Sequence, residues 1–366
     1  MNIVRLEEIH HMPLIHLRNW LAHTLNLCVH DAIQANQPFS NLLKKCRALV
    51  AHFKHSVAAA RKLKSTQINM GFPVLKVKQD VATRWNSALI MMERLQEIKS
   101  ALSVTVTDLP QAPQFLNASD WEILTDCVKV LKPLETMTKE LSGEKYPTMA
   151  LIIPLIRGLQ HKIKNLRPQT DIGANLQRGI MEIISRRLGI LETNRIIVKA
   201  TFLGPKGLKK TAFGLDENGR NAQKWVTDEV TNIINNNNNP SSSTVTSDEP
   251  SSDPKDDQDS LWIFFEEKVA QVQTTITPGT SGTLLVRQYM ELPRLKRQND
   301  PLEFWNLHKN ILPELYQLHL KYSCIPATSV PSERLFSKAG QLTNMCRNRL
   351  LPKNLDQIIF LNSYLF

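Results

Sequence analysis

The sequence has no long apolar run and no paired cysteines, and each absence removes a class of protein. No apolar stretch approaches the ~20 residues that span a bilayer, so no membrane partner is expected. The five cysteines are scattered, odd in number and never spaced Cys-x-x-Cys. This spacing argues against a disulfide framework and excludes a zinc finger built on such a pair, so buried reduced thiols are expected.

Several catalytic and cofactor signatures are also missing. There is no glycine-rich phosphate loop and no nucleophile elbow, so neither a nucleotide cofactor nor another small-molecule substrate is expected. Seven of the ten histidines fall within the first 55 residues, but none shows a recognisable zinc-ligand spacing. We therefore predict no metal site. Glu7 and Glu8 stand where a signal peptide would be apolar, which favours a cytoplasmic or nuclear protein.

The positive charge lies at the two ends of the chain. The net charge is +11, with 14 Lys and Arg against 6 Asp and Glu in residues 1–105 and 10 against 6 in residues 291–366. The middle is nearly neutral, with 21 basic and 22 acidic residues. Two basic surfaces suit contact with a polyanion such as DNA, although such excesses also occur on ordinary solvated faces.

Apolar spacing predicts a mostly helical protein with a few strands. Residues 13–33 carry one apolar stripe, and from Phe39 to Val57 apolar residues recur every three or four positions on a helix with a basic back. Residues 74–79 predict a short strand because β-branched residues lie between turn signals. Thr83 or Asp80 is a candidate cap for the next helix. The Asn- and Ser-rich stretch at 235–260 predicts a disordered loop.

The last 76 residues give the clearest helix signals. Asp300 is a capping residue, followed by Pro301 and then by Glu303 three residues after the cap. Pro352 opens a terminal helix that is apolar on more than one side. Such a helix is expected to be buried between layers or in a partner, which predicts dimerisation.

Two segments resemble hAT-superfamily transposases, especially the zinc finger BED domain-containing proteins. The run Ser332-Glu333-Arg334-Leu335-Phe336-Ser337, with the closing residues 358–362, resembles their C-terminal dimerisation segment. The run from Asp80 to Ser87, with its Arg84-Trp85 pair, resembles a segment near their active site. The resemblance implies an incomplete RNase H-like core (α/β) at 1–105, a helical insertion at 106–290 and a dimerisation domain at 291–366.

By this resemblance Glu333 is the third acid of an Asp-Asp-Glu site that holds two divalent ions. The remaining early acids match neither aspartate position, because the chain begins just after the segment that would include the second one. A lone glutamate cannot hold two metals, so Glu333 is expected to be vestigial and Mg²⁺ is expected only with a complete triad. The residues alone favour the simpler interpretation that Glu333 is an acid in a helix's first turn, where the macrodipole stabilises it.

The resemblance and the residue types together give candidates for DNA contact and for dimer formation. The resemblance implies that Arg84 and Trp85 contact DNA, although Trp85 is equally a core aromatic. Arg334, Arg347 and Arg349 are further candidates for phosphate contact, and are equally exposed solubilising charges. The candidate dimer interface comprises Trp305, Leu312, Leu315, Leu335, Phe336, Leu355, Ile358, Ile359 and Leu361.

The sequence therefore predicts a nuclear, catalytically inactive, transposase-derived homodimer that contacts DNA. Two alternatives stay open at this point. One is a fragment of an active transposase whose N-terminal part is missing, and the other is a protein–protein scaffold with no role on DNA.

Overall fold

A computed structural model of the chain describes residues 14–81, 84–109, 113–143, 148–205, 209–238, 278–296, 298–328, 337, 340 and 351–365. Every regular element in these ranges is helical, so the mostly α class is confirmed, whereas the few strands and an RNase H-like core are not. In chain order the helices are α1 (Leu14–Ala35), α2 (Gln37–His55), α3 (Val57–Asn69), α4 (Trp85–Glu97), α5 (Lys99–Thr107), α6 (Ala118–Leu141), α7 (Ile152–Lys164), α8 (Asp171–Leu188), α9 (Arg195–Phe202), α10 (Asp216–Asn238), α11 (Pro278–Glu291), α12 (Pro301–His308), α13 (Pro313–Ser323) and α14 (Pro352–Leu365).

The chain forms two compact units. Unit 1 comprises Met1–Thr148, Pro154–Leu191 and Pro326–Phe366, and unit 2 comprises Met149–Ile153 and Glu192–Ile325. This grouping differs from the three consecutive segments expected from the sequence, and those domain boundaries stay a prediction. Within the described ranges, no helix combines the length and apolarity needed to cross a bilayer.

Helix α2 is central to unit 1 and follows the sequence pattern closely. The Asn36 side chain caps it by accepting a hydrogen bond from the Phe39 amide at 3.2 Å. The apolar stripe is buried at Phe39, Leu42, Leu43, Cys46, Leu49, Val50 and Phe53. The expectation for Val57 was wrong. Ser56 ends α2 and caps α3, so the chain changes course and leaves Val57 exposed.

Polar contacts between helices also hold unit 1 together. Asp126 of α6 accepts hydrogen bonds from the backbone amides of Gln169 and Thr170, each at 2.7 Å. Asp31 of α1 pairs with Arg187 of α8 at 2.5 Å. Three of the four cysteines in the described ranges (Cys28, Cys46 and Cys127) are free and buried, as expected, and burial raises the pKa of the Cys46 thiol to about 12.

The link from α3 to α4 is extended but is not a strand, so the strand predicted at residues 74–79 was wrong. Gly71, with φ +71°, turns the chain at the end of α3. A strand needs a backbone partner, and no second extended segment lies beside this one within the described ranges. Instead the side chain of Gln67 hydrogen-bonds the amide and carbonyl of Leu75 at 3.0 and 3.1 Å.

Unit 2 is organised around a stack of aromatic rings. The ring of Trp305 lies between those of Tyr289 and His319, with centroids 5.2 and 4.8 Å away. The indole N–H donates to the Leu203 carbonyl at 3.3 Å, and the Tyr289 hydroxyl donates to that of Phe202 at 3.1 Å. Burial lowers the pKa of His319 to about 4, so this ring is neutral at pH 7.

A partly buried charge cluster joins α9, α10 and α13 of unit 2. Glu229 accepts hydrogen bonds from Lys199 at 2.6 Å, Lys321 at 2.5 Å and the Tyr322 hydroxyl at 2.8 Å. Burial would raise the pKa of Glu229, but these donors outweigh it and hold the pKa below its ordinary value. Helix α10 continues to Asn238, so the loop expected at 235–260 is helical at its start, and its remainder lies outside the described residues.

Candidate functional site

The outer surface of α12 and the turn after it carries large apolar side chains. Leu307 is 73% exposed and Ile311 is 55% exposed, four positions further along. Leu302 on the same helix and Leu320 on α13 are also exposed. Exposed leucines are individually common, but a concentration of them on neighbouring elements indicates a surface that another molecule covers.

The inner side of the same elements holds three residues that were expected at the dimer interface. Trp305, Leu312 and Leu315 are fully buried within unit 2. Their expected place was therefore wrong, because a side chain enclosed in its own core cannot reach a second copy without unfolding that core. The spacing of Leu307 and Ile311, on another side of the helical turn from Trp305, was the sequence signal for the outer face.

Helix α14 presents a second apolar surface, in unit 1. Phe360 is 64% exposed and Leu361 is 54% exposed, while Ile358 and Ile359 are partly exposed. Pro352 begins this helix, as expected. Phe360 and Leu361 are therefore not enclosed in the core of the described residues, and burial of the terminal helix in a partner stays a prediction. The expected interface residues Leu335, Phe336 and the side chain of Leu355 lie outside the described residues.

The Arg84-Trp85 pair is split between the surface and the core. Trp85 is only 5% exposed at the start of α4, and its amide donates to the Asn26 side chain at 3.4 Å. Its indole is therefore a core aromatic and offers no face to a DNA base, so the expected stacking role was wrong. Arg84 is exposed, and no described acid pairs with its guanidinium.

The polar residues around this pair have structural partners. Arg84 itself occupies the cap position of α4 and makes no side-chain capping bond. The Ser87 hydroxyl donates a hydrogen bond to Asp80 Oδ1 at 2.5 Å and accepts one from the Val81 amide at 2.7 Å. Arg47 Nε lies 2.6 Å from Asp80 Oδ2. The cap expected from Asp80 is therefore replaced by contacts that fasten the extended link to α2 and α4.

No metal centre can be built from the described residues. Within those ranges no group of three or more His, Cys, Asp or Glu side chains lies close enough to hold an ion. Glu333, Arg334, Arg347 and Arg349 lie outside the described residues, so their roles stay predictions. The early acids Asp31 and Asp80 are engaged with Arg187 and Arg47.

Two family models match the chain. Residues 285–365 match the hAT family C-terminal dimerisation region, and residues 19–130 match the ZBED1 RNase-like helical domain. The first match contains the exposed Leu307, Ile311, Phe360 and Leu361. The second contains α2 to α5 and the Arg84-Trp85 pair.

Similar proteins cover most of the chain. It is 27% identical over 343 residues to zinc finger BED domain-containing protein 4 of Homo sapiens, which covers 93% of the chain and 28% of that protein. It is 24% identical to zinc finger BED domain-containing protein 6 of Mus musculus, over 93% of the chain and 36% of that protein. It is 23% identical to the "Putative AC transposase" of Zea mays, over 92% of the chain and 42% of that protein. The chain thus spans less than half the length of each.

Proposed function

We propose that this relative of hAT-superfamily transposases and zinc finger BED domain-containing proteins works as a catalytically inactive homodimer that contacts DNA. The proposal has three parts: self-association through the region at 285–365, contact with DNA through basic surfaces, and absence of strand transfer by this polypeptide. A nuclear location accompanies contact with DNA.

The observation that carries the proposal is a pair of exposed apolar surfaces within the match to a dimerisation region, one in unit 2 and one in unit 1. Leu307, Ile311, Phe360 and Leu361 are all more than half exposed. Full burial of one such side chain is worth about 1.5–3 kcal/mol. A stable protein interface removes roughly 800 Å² per partner from water, with a few apolar anchors carrying most of the free energy. The two anchors of either unit can therefore contribute several kcal/mol to self-association.

The dimer is tested with the double variants Leu307→Glu with Ile311→Glu, and Phe360→Glu with Leu361→Glu. Each is expected to weaken self-association about 100-fold or more, since burying unpaired carboxylates and losing two anchors costs at least ~3 kcal/mol. Sedimentation velocity over a concentration series measures the change.

The matched control is Ile90→Glu with Val104→Glu, which replaces two exposed apolar residues outside the region at 285–365. The control should associate as the wild type does. Circular dichroism must show that every variant keeps its helices. If the control and the region variants weaken association equally, the proposed surface is wrong.

DNA contact is supported by an excess of exposed basic residues in unit 1. The stretch from α2 to the start of α4 includes nine exposed Lys and Arg side chains, and Asp80 is its single acid. Because phosphate contacts release counterions, the logarithm of the affinity for duplex DNA should fall steeply with the logarithm of salt. A flat slope, or no binding at 50 mM salt, would favour a scaffold without a role on DNA.

Catalytic inactivity is supported by the engagement of early acids in ion pairs. Asp31 pairs with Arg187 and Asp80 with Arg47, which gives each carboxylate a structural role, whereas a two-metal site needs further acids beside Glu333. Supercoiled DNA incubated with the purified protein and Mg²⁺ or Mn²⁺ should not be nicked. Nicking that Glu333→Gln abolishes would overturn this part and support the reading as a transposase fragment.

A further inference from the structure

A basic groove runs between the extended link and the helices α2 and α3. Its volume is about 540 Å³, and its walls include Phe53, Val57 and residues 74–79. Gly71 turns the chain so that the link runs back along α3, with Leu75 opposite Gln67. At the far end the Lys54 side chain contacts that of Gln79. The groove lies outside the region at 285–365, so nothing about it depends on the proposed dimer.

One backbone edge of the link is bonded at Leu75 and has no described partner further along. The side chain of Gln67, only 1% exposed, hydrogen-bonds both the amide and the carbonyl of Leu75, as a neighbouring strand would. In an extended chain, residues two and four positions further along present their backbone groups on the same edge. These residues are Val77 and Gln79, and their amides and carbonyls bond to none of the described residues.

The residues that line the groove are basic or apolar, which limits the kind of ligand that it can bind. Its rim carries five cations and no acid among the lining residues: Lys54, Arg61, Lys64, Lys76 and Lys78. Between them lie the exposed apolar side chains of Val57 and Val74. The one aromatic in the lining, Phe53, is buried and offers no face on which a base could stack. These five cations are among the nine exposed basic side chains of the stretch from α2 to the start of α4, but apolar walls and a free backbone edge fit a peptide better than a nucleic acid, which leaves the other four for contact with DNA.

We propose that the groove binds an acidic, extended peptide of a partner protein, which adds as a strand beside residues 74–79. The peptide's amides and carbonyls pair with those of Val77 and Gln79, its alternate apolar side chains pack on Val57 and Val74, and its carboxylates face the cationic rim. Strand addition of this kind takes affinity from the main chain and specificity from alternate side chains.

The test uses the full chain and a fluorescein-labelled decapeptide that alternates Glu with Val or Ile. Fluorescence anisotropy should show saturable binding, and a decapeptide with Lys in place of Glu should not bind. Two further versions carry N-methyl groups on the odd or on the even residues. An added strand pairs through one edge, so one version should lose binding while the other keeps it. If both versions bind equally, or the acidic probe does not bind, the proposal is wrong.

Protein variants then locate the site. Arg61→Glu with Lys64→Glu should weaken probe binding about tenfold or more, since two attractive charges become repulsive. The control is Lys162→Glu with Lys164→Glu, the same charge change on two exposed residues of α7, and it should bind as the wild type does. Equal weakening in both would mean that net charge alone attracts the probe, which overturns the proposal.

Duplex and single-stranded oligonucleotides of 20 nucleotides serve as competitors. DNA that binds the protein without displacing the probe supports a separate peptide site. DNA that displaces the probe and loses affinity in the Arg61→Glu, Lys64→Glu variant overturns the proposal in favour of a nucleic-acid groove.

Discussion

Helix α2 and the region at 285–365 show similar apolar periodicity but opposite outcomes. The stripe of α2 from Phe39 to Phe53 is buried within unit 1. In the C-terminal region Trp305 is equally buried, whereas Leu307, Ile311 and Phe360 remain more than half exposed. Periodicity shows which residues favour burial, but it does not show whether the covering surface belongs to the same chain.

The difference separates two uses of apolar surface. The α2 stripe stabilises the fold itself, and its loss should be felt at any protein concentration. The exposed apolar side chains of the C-terminal region contribute little to the stability of the isolated chain. Their contribution should appear only when two chains associate. Paired substitutions in the two regions test this contrast.

The largest effect is expected from Phe39→Ala set against Phe360→Ala. Phe39→Ala should lower the free energy of unfolding by about 3–5 kcal/mol, because it removes a fully buried ring and leaves a cavity. Phe360→Ala should change it by less than ~0.5 kcal/mol at concentrations where the protein is monomeric. Urea denaturation in dilute protein measures both. Equal losses would show that Phe360 is a core residue of the single chain.

A smaller effect, dependent on pH, is expected from the inner side of the C-terminal region. The pKa of His319 is about 4 in the folded protein, whereas the ordinary value of 6.5 applies to the unfolded chain. Between these two pH values the unfolded chain therefore binds one proton that the folded protein does not. Stability should therefore fall as the pH drops below 6.5, by about 2 kcal/mol at pH 5.

The matched variant is His319→Phe, which keeps a ring beside Trp305 but does not titrate. The difference in unfolding free energy between wild type and variant should change by about 2 kcal/mol between pH 7 and pH 5. A difference that does not vary with pH would mean that His319 is solvated rather than enclosed.

The smallest effect is expected at the Arg84-Trp85 pair, where an exposed residue adjoins a buried one. Arg84→Ala should leave stability unchanged and reduce the salt slope of DNA binding by about one, the effect of one lost phosphate contact. Trp85→Phe should cost stability without changing that slope. A slope that changes with Trp85→Phe but not with Arg84→Ala would reverse the assignment made from their exposure.

Much of the fold follows from local signals along the chain. The stripe of α2, the Asp300 cap of α12 and the start of α14 at Pro352 all follow from spacing and capping chemistry, which act within a few residues. The prediction of a strand at 74–79 was wrong because it depends on contacts that are distant in the sequence. A strand depends on a partner distant in sequence, and nothing in the residues 74–79 themselves reports whether one is present.

The candidate site was harder to predict for the same physical reason. Large, apolar side chains favour a core and an interface equally. The size and apolarity of Trp305, Leu312 and Leu315 therefore do not distinguish the buried positions that they occupy from positions at an interface. Trp85 shows the same ambiguity beside Arg84. Only the packing around each side chain decides between the two environments, and that packing comes from segments far along the sequence.

The molar mass of the wild-type chain in solution decides whether the protein dimerises. Sedimentation equilibrium of the purified protein, from nanomolar to tens of micromolar, should show a reversible rise from 41.7 kDa to about twice that value. The Phe360→Glu, Leu361→Glu variant should stay at the lower mass throughout this range. A wild-type chain that remains at 41.7 kDa across the series would contradict the proposed dimer.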